Sequence, residues 1–346
     1  MRLNLLNGET SLAMVNNTAL NAELRTIKEF LSGDNVTEVS INRPGEIFIE
    51  ASGEITRHEA PELTYDKLHS LATLIASSNG QSINEQKPML SGSLPDGERI
   101  QIVIPPCVEP GNICMSIRKP SGISFSLDDY KQAGAFDSVK VSDGLELTEN
   151  DRELSQLLKN NQLAEFVEKA VLYKKNIVVS GGTSTGKTTF GNALIDVIPD
   201  HERLITIEDT RETVLKQANR VHLLCSKGGQ GTALVDVQDL LEACLRLRPD
   251  RLLLSELRGK EAFSFLRAVN TGHSGSITTL HADTPKGAYE QLVLMVTQAG
   301  LGLQREEILE YIHSVVEVVI QLKRVNGKRQ ISEIYFEHYK QALEQC

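Results

Sequence analysis

Apolar residues recur along this chain at two spacings, and the mixture changes near its middle. In the first part, Leu20–Leu31 has the 3–4-residue period of an amphipathic helix, while Val36–Asn42 reads as a strand. Ile47–Glu50 and Glu54–His58 flank Ser52-Gly53 and predict a hairpin, and Thr64–Ser78 returns to helical spacing. Met89–Ser93 and Glu98–Ile104 straddle the turn signal Pro95-Asp96-Gly97, and Asn112–Arg118 is a further short strand. These elements predict an α+β domain over residues 1–120.

From Lys119-Pro120-Ser121-Gly122 the periodicity weakens, and residues 121–152 are expected to form a linker. Beyond it, Glu153–Leu172 predicts one long amphipathic helix. Strands are then expected at Asn176–Ser180, Leu204–Glu208, Arg220–Leu224, Arg251–Ser255 and Gly275–Leu280, with helices between them. Several are apolar throughout, as in a parallel sheet covered on both faces. Val315–Leu322 and Arg329–Phe336 flank Asn326-Gly327, a hairpin signal. The fold class is therefore α/β, with a larger domain over 153–346 behind a smaller α+β domain.

At 346 residues with 40% hydrophobic and 24% charged content, the chain has ample material for two ordinary globular cores. A net charge of −10 argues against a surface that grips nucleic acid broadly. Five cysteines at scattered spacings, with no C-x-x-C pair, indicate neither a zinc site nor a disulfide framework, and suit a reduced, cytoplasmic setting. The start, Met-Arg-Leu-Asn-Leu-Leu, turns polar by Asn7-Gly8-Glu9, unlike a signal peptide, and no apolar run is long enough to span a bilayer.

The chemistry centres on Gly181-Gly182-Thr183-Ser184-Thr185-Gly186-Lys187-Thr188, followed by Thr189. It satisfies G-x-x-x-x-G-K-[ST] between an expected strand and an expected helix, Thr188–Val197, which is the setting in which backbone N–H groups and a helix N-terminus enclose phosphates. A chance match to the four fixed positions arises in about one chain in a hundred of this length, and the flanking strand and helix lower that further. Lys187 would reach the β and γ phosphates of ATP, and Thr188 would place its hydroxyl on Mg²⁺.

Two acidic strand ends follow. Arg251–Ser255 runs into Glu256, a candidate for activating the attacking water, and Leu204–Ile207 runs into Glu208-Asp209, where Glu208 would organise Mg²⁺ through water. Glu256 would likewise meet the metal through water. Taken alone, either acid would more often be a solvated loop residue; their order after a phosphate loop raises the functional reading. His273 and His281 invite a shared metal, but eight residues of strand separate them by about 26 Å. His281 is instead a candidate sensor of the γ phosphate, though a lone histidine near a strand end is more often structural.

In this order the segments resemble the secretion traffic ATPases, the motors of type IV secretion and conjugation, with relatives in type II secretion and type IV pili. The resemblance rests on the loop Gly181–Thr188, an aspartate box at Ile205–Glu212, a Walker B segment at Leu247–Glu256 and a histidine box at Gly272–His281. Ser255 stands where relatives often have Gly, and Thr210 where many have Pro.

The resemblance implies a RecA-like ATPase domain, a homohexamer, and a cytoplasmic position peripheral to the inner membrane, against the membrane components of a type IV secretion system. It also implies that Arg99 in Gly97–Gln101 and Arg118 in Ser116–Pro120 offset charge on the γ phosphate. Type II secretion and pilus-extension ATPases usually carry a four-cysteine zinc insert that this chain lacks, which favours the type IV branch. A pilus or type II motor, a nucleotide-dependent scaffold with little turnover, and a nucleic-acid translocase are the alternatives; no nucleic-acid binding is indicated.

Overall fold

A computed structural model describes residues 18–120, 126–139, 147–225 and 231–344. The polar start of the chain, residues 121–125 and 140–146 of the expected linker, and Cys346 lie outside the described residues.

The first part of the chain forms a six-stranded antiparallel sheet in the order β3-β2-β1-β6-β5-β4. Its strands are β1 (Val36–Ile41), β2 (Gly45–Ala51), β3 (Glu54–Ala60), β4 (Met89–Ser93), β5 (Arg99–Val103) and β6 (Cys114–Arg118). Two helices, α1 (Arg25–Leu31) and α2 (Tyr65–Ser78), cover it. Thr64 caps α2 by accepting the Lys67 amide, and Leu68, Leu71, Ala72, Ile75 and Ala76 form the buried stripe that its spacing demands. A short helix, α3 (Leu127–Gln132), follows and buries none of its residues.

The expected helix Glu153–Leu172 is two helices, α4 (Glu149–Lys159) and α5 (Leu163–Leu172). Asn161 takes a left-handed φ of 57°, and the Gln162 amide donates back to the Leu157 carbonyl at 2.9 Å, which ends the first helix. The apolar period continues across the break, so the sequence reads as one helix. The bend lets Leu154 and Leu157 of α4 share a core with Phe166, Ala170 and Val171 of α5. At its start α4 carries a reciprocal cap between Thr148 and Asp151.

The second sheet has seven strands in the order β13-β12-β7-β11-β10-β8-β9. They are β7 (Ile177–Gly181), β8 (Leu204–Glu208), β9 (Arg220–Leu224), β10 (Arg251–Leu254), β11 (Ile277–Leu280), β12 (Val318–Val325) and β13 (Lys328–Phe336). All pair in parallel except the closing β12–β13 hairpin. Helix α6 (Lys187–Asp196) lies between β7 and β8, α7 (Val237–Leu247) between β9 and β10, α8 (Glu261–Asn270) between β10 and β11, and α9 (Pro285–Thr297) and α10 (Arg305–Val315) between β11 and β12, while α11 (Tyr339–Glu344) follows β13. Strands β7, β8, β10 and β11 are buried along their whole length, which explains their apolar runs.

This order sets the site. Strands β7, β11, β10 and β8 are neighbours and parallel, so the segments that leave their carboxyl ends emerge side by side. The two sheets meet at an edge, where β9 bridges the segment before β6 through Val108 and Leu223, and the Leu224 amide donates to the Cys107 carbonyl. Arg203 is fully buried there, donating to Asn42 of the first sheet's layer at 2.8 Å and to the Leu247 carbonyl at 3.0 Å.

Candidate active site

Strand β7 delivers the chain into the glycine-rich loop, whose backbone is unlike either neighbouring element. Ser184 has φ 60° and Gly186 has φ 96°, while the Thr185 hydroxyl donates to the Gly182 carbonyl at 2.9 Å. Gly181 is required by contact: a Cβ there would lie 2.9 Å from the Leu322 carbonyl oxygen and 2.6 Å from Thr185 Oγ1. Helix α6 starts at Lys187, aiming its free N–H groups into the cavity.

That cavity, of about 430 Å³, is lined by Thr183 to Thr189 and, across from them, by Asp209, Glu256, Arg258 and His281. Arg329 lies over the loop at its near rim. The Lys187 ammonium donates to the carbonyls of Gly181 at 3.0 Å and Gly182 at 3.3 Å, and lies 3.3 Å from His281 Nε2. His281 Nε2 lies 3.2 Å from Glu256 Oε1. Partial burial pushes the Lys187 pKa down, a shift that Glu256 opposes. His273 is elsewhere, with Nδ1 2.9 Å from the Ala268 carbonyl at the end of α8, so the two histidines do not meet.

Glu256 projects from the end of β10 into the cavity, as its place in the sequence suggests. Burial would raise its pKa, but the Arg258 guanidinium holds it below the usual carboxylate range, helped by His281 and Lys187. Arg258 bridges two acids, donating to Glu256 Oε2 at 2.5 Å and to Asp209 Oδ2 at 2.9 Å. Sequence reasoning missed Arg258, although it stands two residues after Glu256 and one side chain from both acidic strand ends.

Glu208 differs most from its expected place. Its side chain is fully buried and does not line the cavity with Lys187. Oε1 accepts from Thr206 at 2.7 Å and faces His222, and Oε2 accepts the amides of Glu212 at 2.8 Å and Thr213 at 2.7 Å. Burial alone would raise its pKa, but the His222 contact, those two amides and Thr206 outweigh it and hold it at about 2. Its effect is to fix the loop 209–213, which carries Asp209, Thr210, Glu212 and Thr213 to the cavity wall. A carboxylate with four protein contacts has little capacity left for a hydrated metal.

Arg99 and Arg118 face each other across β5 and β6, both exposed, and neither lines this chain's own cavity. Among the oxygen donors that do line it, the Thr188 hydroxyl and the carboxylates of Glu256 and Asp209 are of the hard type that suits Mg²⁺.

A glycine-rich loop between a central parallel strand and a helix, faced by carboxylates at the ends of adjacent strands, defines a P-loop nucleoside triphosphatase with a RecA-like sheet. Residues 144–345 match the family described as Type II/IV secretion system protein. The chain is 44% identical over 331 residues to the type IV secretion system protein VirB11 of Bartonella henselae, covering 92% of this chain and 93% of that one. It is 40% identical over 336 residues to VirB11 of Brucella suis, covering 94% and 92%. The crystal structure of the VirB11 ATPase from the Brucella suis type IV secretion system, in complex with sulphate, superposes with a TM-score of 0.87 at 39% identity, over 94% of this chain and 99% of that one. The chain belongs to the Type II/IV secretion system protein family and is a secretion ATPase of the type IV branch.

Proposed function

We propose that this chain hydrolyses ATP with Mg²⁺ to power substrate transfer or pilus biogenesis by a type IV secretion system, working as a homohexamer. The observation that carries the reading is the convergence of Lys187, Thr188, Glu256 and His281 on one cavity. Residues 181–189 would hold the phosphates, and the Thr188 hydroxyl, with Glu256 and Asp209 behind it, would hold Mg²⁺. When bound, the ion would neutralise charge between the β and γ phosphates. Glu256 would take the proton of the attacking water, and His281, in reach of both Glu256 and Lys187, would register the γ phosphate.

Glu208 acts in this scheme as a positioning residue for the loop 209–213 rather than as a group on the metal. Arg99 and Arg118, like charges in register with no place in their own cavity, would serve the nucleotide of a neighbouring subunit, as cationic fingers acting in trans do. The division into an N-terminal domain over 1–120, a linker over 121–152 and an ATPase domain over 153–346 suits that exchange. Among the described residues no helix is long and apolar enough to cross a membrane. The ring would sit peripherally at the inner membrane, docked on membrane components of the system.

The test is steady-state ATP turnover by the purified chain beside Lys187→Ala, with solution mass recorded with and without ATP and Mg²⁺. Turnover lost in the variant and a nucleotide-stabilised hexamer support the reading. Undiminished turnover in Lys187→Ala would sink the catalytic claim, and a monomer under every condition would sink the ring.

A further inference from the structure

The β12–β13 hairpin is longer than the sheet needs. Pairing with β7 ends at Leu322 opposite Gly181, and Lys323, Arg324 and Val325 run on past that strand before Asn326-Gly327 turns the chain back. Asn326 at φ 52° and Gly327 at φ 80° make the turn a tight two-residue one. The overhang therefore stands beside the phosphate loop, which leaves β7 at that level. Its sequence, Leu322-Lys323-Arg324-Val325-Asn326-Gly327-Lys328-Arg329, holds four cations and no acid in a chain whose net charge is −10.

Arg329 is the member of this cluster that reaches the cavity. Its side chain lies against Gly186, so that a Cβ on that glycine would come within 2.8 Å of Arg329 Cδ and 3.2 Å of Nε. The cavity that Arg329 lines also carries Thr188, Thr189 and Asn192. The contrast between the two arginines of the cavity is informative. Arg258 is engaged by two carboxylates, whereas Arg329 is exposed and makes no side-chain hydrogen bond or ion pair among the described residues. Arg324, its cross-strand partner, is turned onto the Gly327 carbonyl at 3.3 Å.

A cation placed against Gly186, with no acid paired to it among the described residues, is an arrangement that an anionic ligand completes. A guanidinium against Gly186, on the loop expected to enclose phosphates and outside the contacts that join Lys187, His281, Glu256 and Arg258, suits the phosphates that ATP and ADP share. We infer that Arg329 is a nucleotide-positioning residue, reaching from the C-terminal hairpin of the same subunit to the non-transferred phosphates. The inference rests on the nucleotide reading of the cavity given above.

Such a contact is made equally in the ground state and the transition state, so it affects binding rather than chemistry. Loss of one charge-assisted hydrogen bond corresponds to about 10- to 100-fold in affinity, and the exposure of Arg329 places it near the lower figure. Arg329→Ala should weaken ADP and a non-hydrolysable ATP analogue by the same factor, about tenfold, and raise KM with kcat nearly unchanged. Arg329→Lys should recover part of the loss, because the charge remains while the planar fork is gone.

The experiment is calorimetric titration of both nucleotides into the full chain as wild type, Arg329→Ala, Arg329→Lys and Lys187→Ala, with thermal melts without nucleotide to establish that the variants are folded. Equal weakening of both nucleotides in Arg329→Ala, with an unaltered melt, supports the proposal. Wild-type affinity in Arg329→Ala while Lys187→Ala binds at least tenfold more weakly overturns it and leaves the nucleotide site standing. Wild-type affinity in Lys187→Ala as well overturns the site itself. A fall in kcat alone in Arg329→Ala would also overturn the proposal, because it would assign the residue to chemistry.

Discussion

Replacing Glu208 by Gln separates a structural anchor from a metal-organising acid. The side chain is fully buried, and its two oxygens serve Thr206, His222 and the amides of Glu212 and Thr213. Glutamine keeps the size but presents an NH₂ where one oxygen accepts, leaving a buried amide donor unpaired. The magnitude follows from protonation linkage. A group that moves from 4.5 when free to about 2 in the fold contributes about 3 kcal/mol at neutral pH, at 1.36 kcal/mol per unit.

The sign is that of a depressed carboxylate. The stabilisation is fully present above the free value of 4.5, declines as pH falls below it, and is gone below about 2. By pH 3 less than half of it, about 1.4 kcal/mol, should remain. Urea unfolding of wild type and Glu208→Gln at pH 7 and pH 3, followed by a probe on the parallel-sheet domain, measures this. The gap between the two proteins should be about 3 kcal/mol at pH 7 and clearly smaller at pH 3. A gap below 1 kcal/mol at pH 7, or one that does not change with pH, would refute the assignment of Glu208 as a buried, ionised anchor.

Two other perturbations probe separate parts of the structure. Lys175 is nearly buried between Asp151 of α4 and Glu317 before β12, 2.7 Å from each, so Lys175→Met should destabilise by about 3–5 kcal/mol by leaving two acids without their cation; a change under 1 kcal/mol in chemical unfolding would mean that water already screens them. Gly186→Ala places a side chain at φ 96° against Arg329, a strain of about 1–3 kcal/mol at the phosphate loop, and should weaken nucleotide binding while leaving the hydrophobic core intact; unchanged affinity would show that the loop adapts.

Most of the fold was legible because its signals are local. Strands β4, β8 and β9 begin and end where the apolar runs and turn residues place them, and Asn326-Gly327 marks the closing hairpin. The break at Asn161 was not legible, since the apolar period runs across it and only tertiary packing distinguishes two bent helices from one. In the site, Lys187, Glu256 and His281 were found because each closes a strand or opens a helix in a pattern of fixed spacing. Arg258 and Arg329 were not, because an arginine on a loop or hairpin has no period, and its role depends on strand order in space. The buried setting of Glu208 has the same origin: its position at a strand end resembles that of Glu256, but β8 turns this side chain into the protein against His222 of β9. The cationic run from Lys323 to Arg329 was visible as composition and acquires meaning only once β12 is seen to pair with β7.

The most direct test of the central claim is single-turnover hydrolysis by Glu256→Gln with Mg²⁺ and ATP. Glutamine keeps the shape of the side chain and removes the base, so ATP should bind within about threefold of wild type while its cleavage slows by about 10²- to 10⁴-fold. Cleavage at the wild-type rate in this variant would contradict the assignment of Glu256, and with it the account of how this cavity splits ATP.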